Sequence, residues 1–253
     1  MIDIHCHILP NMDDGAAELQ HSIEMARQAV SEGVKTIIAT PHLNSTYSNK
    51  KTDILAATKQ LKVELNDANI PINILPGQEP RIYGEILQDY NNGDILTLNH
   101  SNYLFIEFPS NYIPQYSKRL LYDIQLEGLT PIIVHPERNK EFMNHPNKLV
   151  DFIQNGSLSQ ITASSVAGVF GKKIQKLSFQ LIEANLVHFI ASDAHNLESR
   201  GFKMVNAFEK IGKRVGADWV NYFHKNAYLV SENKSIYKEV PQPIQQKKFW
   251  GIF

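Results

Sequence analysis

An α/β fold assembled from parallel βα units is what this 253-residue chain predicts, on three observations. Short apolar runs alternate with helix-period stretches along most of the length. Five of these runs lead into histidine or a carboxylate: MIDIHCH, TIIATPH, YLFIEFP, PIIVHPER and HFIASDAH. The count comes to about seven units, one short of the familiar eight-fold barrel. A single domain over 1–253 suits that length.

The first helix is predicted over 17–32, where Leu19, Ile23, Ala26 and Val30 recur at helical spacing and Gly33 provides a stop. A strand follows at 35–40. The next helix, 51–68, carries Ile54, Leu55, Thr58, Leu61 and Leu65 on one stripe, and Pro71 precedes a strand at 72–75. The run 103–108 reads as a strand, and 117–127 as a helix closed by Gly128. Residues 131–134 are apolar throughout, the pattern of a strand buried on both faces. Helix 147–154 ends at Gly156 and leads to a strand at 158–162. Ile174, Leu177, Leu181 and Ile182 define a helix over 172–184, which runs into the strand 187–191. Helices are predicted again over 202–211 and 217–226. Pro241 and Pro243 mark 239–253 as a C-terminal tail ending in KKFWGIF, and the expected fate of Phe249, Trp250 and Phe253 is docking on the barrel.

The composition narrows the function. The formal net charge is −1, which lacks the basic footprint that a nucleic-acid partner requires. One cysteine, Cys6, excludes an internal disulfide framework and suits a reducing compartment. The opening segment has no secretory pattern, and no apolar run approaches the ~18–20 residues of a membrane span, so a cytoplasmic protein without membrane insertion is expected.

Groups at the carboxyl ends of strands in a parallel βα barrel face one shared mouth. That position gives His5 and His7, His42, Glu79, Glu107, His135, and Asp193 with His195, while Asp14 follows closely behind the first pair. His5 and His7 are two apart, so both imidazoles project from one face of a strand, and Asp193 and His195 repeat the arrangement. Imidazoles and carboxylates without thiolates favour Zn²⁺, Mn²⁺ or Fe²⁺. These side chains exceed what one tetrahedral ion uses, so two or three ions sharing carboxylates are expected. Such a cluster activates water near neutral pH and clamps phosphoryl oxygens, chemistry that fits hydrolysis of a phosphate ester. Arg138 and Arg200 follow His135 and His195 on loops at the mouth, where guanidinium forks can grip non-bridging phosphate oxygens.

Taken singly, any one of these histidines is as well explained by packing, and an arginine on a loop by solvation; two same-face pairs at strand ends weigh against chance. His21, His100, His145, His188 and His224 lack that placement and are expected to be structural or solvent-facing. Cys6 alternates away from its histidine neighbours, and position 12, where a cysteine-dependent phosphatase needs arginine, is Met12. No G-x-x-x-x-G-K-[ST] nucleotide loop occurs.

The ordered segments HCH, DDG, TPH, GQE, IEFP, HPER and SDAH resemble the PHP (polymerase and histidinol phosphatase) superfamily, and within it the bacterial tyrosine-protein phosphatases of the CpsB/CapC/YwqE type. The resemblance implies a distorted (β/α)7 TIM-like barrel holding three metal ions, usually Mn²⁺. It implies that His5, His7, Asp14, His42, Glu79, Glu107, His135, Asp193 and His195 are the ligands, and that Arg138 and Arg200 bind phosphate. The implied substrate is phosphotyrosine on the tail of a cognate membrane-associated tyrosine kinase that regulates capsular or exopolysaccharide synthesis. A small-molecule phosphatase acting on histidinol phosphate, or a non-catalytic metal-bound adaptor, would use the same ligands and remain as alternatives.

Overall fold

The computed structural model describes residues 1–245, and Phe249, Trp250 and Phe253 of the tail lie outside the described residues. The chain runs β1 (Ile2–Cys6), α1 (Leu19–Ser31), β2 (Thr36–Ala39), β3 (His42–Leu43), α2 (Lys51–Asp67), β4 (Asn73–Pro76), β5 (Glu79–Pro80) and α3 (Ile86–Asn91). It continues through β6 (Tyr103–Ile106), α4 (Ser117–Leu126), β7 (Thr130–Val134), α5 (Lys140–Asn144), α6 (Asn147–Gln154) and β8 (Leu158–Thr162). The last elements are α7 (Ala163–Ala167), α8 (Lys172–Glu183), β9 (Phe189–Ala191), α9 (Met204–Val215) and α10 (Ala217–Ser231).

The fold is mixed α/β, and every strand pairing between these elements is parallel. The ladders do not form the one closed seven-stranded barrel expected from the sequence; they divide into sheets ordered β1-β2-β4, β3-β5 and β6-β7-β8-β9. The break after β2 has a local cause. Pro41 lacks an N–H and interrupts the ladder, so the chain resumes as the short β3, whose partner β5 resumes β4 in the same way. Single bridges pair Cys6 with Ala194 and Arg81 with Glu107, and backbone bonds from His7 N to Ala194 O and from Asp193 N to His5 O, each 2.9 Å, tie the first strand to the last.

Both faces of the strands are buried. Ile37, Leu104, Ile106, Ile133, Ile161 and Ile190 enter a large cluster beneath the helices. Their alternates, including Ile4, Ile38, Phe105, Ile132 and Phe189, enter a smaller cluster that α10 closes with Ala227 and Val230. This is the arrangement that makes parallel strands read as continuous apolar runs. Each fully buried isoleucine or leucine contributes roughly 1.5–3 kcal/mol over an exposed one. Helix α1 faces the larger cluster with Met25, Ala26 and Ala29, and Gly33, at φ +78°, adopts the left-handed conformation that ends it. The described part of the tail docks: Gln242 N donates to Ala184 O at 2.8 Å, Ile244 N donates to Asn147 Oδ1 at 2.7 Å, and Ile244 is buried.

Candidate metal centre

The strand ends bring the predicted ligands together. His5, His7, Glu79 and Asp193 form one group, His7, Asp14, His42 and His195 a second, and His42, Glu79 and Glu107 a third, with the ligand atoms of each within 4.8 Å of one another. The groups share His7, His42 and Glu79, so they form one continuous cluster. His135 belongs to none of the three and sits at its edge, with Nε2 at 2.8 Å from Glu79 Oε1. Cys6 points away into the larger core; burial and then Asp3 push its thiol well up, which leaves it inert.

The outer nitrogens of the imidazoles are anchored. His5 Nδ1 meets Gln160 Oε1 at 2.8 Å, His7 Nδ1 meets Asp13 Oδ2 at 2.7 Å, and His195 Nδ1 meets Asp193 O at 2.9 Å. Pinning Nδ1 fixes each tautomer and presents Nε2 to the cluster, where the Nε2 atoms of His5 and His7 lie 3.3 Å apart. The DDG turn serves the same end. Asp13 Oδ1 accepts from Gly15 N at 2.9 Å, while a Cβ on Gly15 would lie 2.1 Å from His7 O, so only glycine lets the turn close over His7. His135 and Asp193 have φ of 35° and 51°, left-handed backbone that re-aims their side chains at the ends of β7 and β9.

The electrostatics are those of a site built for cations. Burial opposes charge on His5, but Glu79 and then Asp193 overcome it and raise its pKa. Burial likewise opposes charge on His7, and Asp13 carries it well above the ordinary imidazole value. Burial works against the ionised Glu79 and Asp193, yet His5 and its neighbours hold both carboxyls well down. His195, buried and beside His7, is pushed down to about 4. The raised imidazoles and depressed carboxyls together favour positive charge among these carboxylates. The fit to metal is independently visible in Glu79 Oε2 and His195 Nε2, which are buried without hydrogen-bond partners. His42 Nδ1 is also orphaned; it lies 2.9 Å from Glu79 Oε2 but without hydrogen-bond geometry. Buried polar atoms left without partners are costly unless an ion satisfies them.

Both predicted arginines reach the cluster. Arg138 Nη1 pairs with Asp193 Oδ2, and Arg200 reaches Asp193 Oδ2 at 3.2 Å and Asp14 Oδ2 at 3.4 Å. Glu137 steadies the Arg138 loop, its Oε1 accepting from Thr162 N at 3.0 Å and Ser165 Oγ at 2.6 Å. Three neighbours were missed from the sequence. Asp13 holds His7 although the strand-end pattern points to Asp14, Gln160 lies inside a predicted strand, and Arg81 holds Glu107 with bonds of 3.0 and 2.8 Å. A polar residue inside the run LSQIT and an arginine two places after Glu79 were the available signals. The Arg81 guanidinium offsets part of the cost of burying Glu107.

The family model for capsular polysaccharide synthesis, CpsB/CapC, matches residues 1–231. The chain belongs to that family. Among family relatives, the tyrosine-protein phosphatase YwqE of Bacillus subtilis (strain 168) is 47% identical over 254 residues, covering 100% of both chains. The tyrosine-protein phosphatase CpsB of Streptococcus pneumoniae is 31% identical over 86% of this chain and 92% of its own. A solved structure from work on YwqE of B. subtilis and CpsB of S. pneumoniae, described as metal-dependent tyrosine phosphatases, superposes with a TM-score of 0.96 at 47% identity, covering 97% of this chain and 100% of that one. An organophosphorus hydrolase from Deinococcus radiodurans shares the fold alone, at a TM-score of 0.55 and 12% identity over 90% of this chain and 92% of that one.

Proposed function

We propose that this protein is a metal-dependent protein-tyrosine phosphatase acting on phosphotyrosine of a bacterial tyrosine kinase that controls capsular or exopolysaccharide synthesis. The observation that carries the chemistry is the buried, interlocked set of imidazoles and carboxylates with orphaned Nε2, Nδ1 and carboxylate atoms. Membership of the family and the names of the relatives supply the substrate class. The bridges between the three sheets support reading them as one distorted seven-unit βα barrel with its active site at the carboxyl ends.

His5, His7, Asp14, His42, Glu79, Glu107, His135, Asp193 and His195 are assigned as ligands. An all-nitrogen and oxygen donor set suits Mn²⁺, with Zn²⁺, Fe²⁺ and Mg²⁺ in the same hard-to-borderline class. Bound divalent cations supply Lewis-acid polarisation of the phosphoryl group and a nucleophile drawn from water at neutral pH. Arg138 and Arg200, at the rim against Asp193 and Asp14, are assigned to the non-bridging phosphate oxygens, where their charge counters that of the transition state. The phenol leaves with a pKa of about 10, well below an alkyl alcohol, so the site has little need of a dedicated acid.

Among the described residues no helix is long and apolar enough to cross a membrane. The deciding experiment is metal analysis of the purified protein alongside hydrolysis of a phosphotyrosyl peptide, for wild type and His7→Ala. His7 serves two of the three groups, so the variant is expected to lose bound metal and turnover together. Unchanged metal content and rate would overturn the assignment.

A further inference from the structure

Between His42 and Lys51 the chain is a polar loop, LNSTYSNK, whose only aromatic is Tyr47. A solvated loop has no need of a ring, yet Tyr47 is half-buried and lies over the imidazole of His42, with centroids 6.1 Å apart and planes 13° apart. That is an offset stack on a candidate metal ligand. On its other side His42 Nε2 lies 3.4 Å from Asp14 Oδ1, and Asp14 in turn meets Arg200 at 3.4 Å. Tyr47, His42, Asp14 and Arg200 are thus successive members of one rim.

The loop holds the ring in place. Leu43 and Ser48 form an antiparallel bridge, Asn44 N donates to Tyr47 O at 2.8 Å, and Tyr47 N donates back to Asn44 Oδ1 at 3.0 Å. Asn49 Nδ2 ties the base of the loop to Met12 O at 2.7 Å and to His42 O at 2.9 Å. The tyrosine is therefore set in position before any ligand arrives, which lowers the entropic cost of using it. Phe170, near the other guanidinium, is already covered by Arg138 at 5.2 Å.

Resting on the phosphatase reading above, we propose that Tyr47 is the specificity-determining residue for an aromatic leaving group, its ring flanking the phenyl ring of the phosphotyrosyl substrate. A phosphoryl group held between the ligand cluster and the two arginines leaves its ester oxygen to point outward past the rim. The organic group then emerges beside the Tyr47–His42 stack. An aryl group there gains ring contact, and a short alkyl group does not. Behind the loop a cleft of about 560 Å³, lined by Leu43, Arg81, Ile82 and Tyr83, gives the flanking peptide somewhere to run.

The test compares kcat and KM for phosphotyrosyl and phosphoseryl forms of one peptide, using wild type, Tyr47→Ala and Tyr47→Phe at equal metal content. The expected result is that Tyr47→Ala loses about tenfold of the aryl-over-alkyl preference, chiefly through KM, and that Tyr47→Phe keeps it. An equal loss on both esters would make Tyr47 a support for His42, and no loss would make it a bystander; either overturns the proposal. Should wild type hydrolyse neither peptide, the phosphatase reading fails by itself. Calorimetric binding of phenylphosphonate and methylphosphonate to metal-loaded wild type and Tyr47→Ala then still decides the role of Tyr47: selective weakening of phenylphosphonate supports it, and parallel or absent change overturns it.

Discussion

The two ends of the parallel strands bury histidines equally deeply and treat them in opposite ways. At the amino end of β9, His188 is 1% exposed; burial and then Lys238 push it down to about 3, and its neutral Nδ1 accepts from Ser159 N at 3.2 Å. At the carboxyl ends, His5 and His7 are 0% and 1% exposed, yet their pKa values are raised, because Glu79, Asp193 and Asp13 outweigh the same burial. Burial without carboxylates yields a neutral packing group; burial beside them raises the pKa of the imidazole and favours positive charge at the site. The candidate ligands gather at the carboxyl ends, where Glu79, Glu107 and Asp193 lie among the imidazoles.

Emptying the carboxyl end of metal has the largest expected effect. Stripping metal with a chelator is expected to lower phosphotyrosine hydrolysis by about a thousandfold or more, recoverable with Mn²⁺. It should also lower stability by about 3 kcal/mol relative to protein at a hundredfold excess of metal over Kd, read as a drop in Tm. An enzyme indifferent to chelation would show that the cluster is only packing. Next in size, Arg138→Ala should cost about a hundredfold in kcat with metal content preserved, the scale of losing one charge-stabilising donor. A loss of metal instead would place Arg138 among the supports of Asp193.

Smaller still is Asp13→Asn, which keeps the shape but removes the charge on His7 Nδ1. Metal affinity by titration should weaken about tenfold to a hundredfold. The smallest effect is expected at His188. The folded-state pKa of His188 is depressed below an unfolded value of about 6.5, so the unfolded chain binds the extra proton. Its contribution is full above that value and is lost as pH falls toward about 3. Denaturant unfolding of metal-free protein should therefore show His188→Gln with a shallower acid slope than wild type, by at most about 1.4 kcal/mol per pH unit. Parallel slopes would mean that His188 is not held neutral by its burial.

Much of this was legible in the residues. The runs at 131–134 and 158–162 are strands β7 and β8, and 147–154 is helix α6, because apolar periodicity and glycine stops are local signals. The short α3, α5 and α7 went unread, since six or five residues carry no periodicity to detect. The strand-end rule placed His5, His7, His42, Glu79, Glu107, Asp193 and His195 at one mouth, and the structure brings them there. It could not foresee that His135 would stand apart against Glu79, or that Asp13 and Gln160 would orient His7 and His5. Those partners come from separate segments, and nothing in the order of the residues records the distance between them.

Hydrophobic period and side-chain chemistry are properties of single segments, so the α/β class and the kind of donor at each strand end could be read from the residues alone. Packing in three dimensions sets how the ladders divide at Pro41, which ligands are shared between groups, which nitrogen each imidazole turns inward, and that Tyr47 lies over His42. Those outcomes depend on distances of a few ångströms between residues up to 189 positions apart, as in the Asp3–Ser192 bond, and such distances exist only once the core has packed.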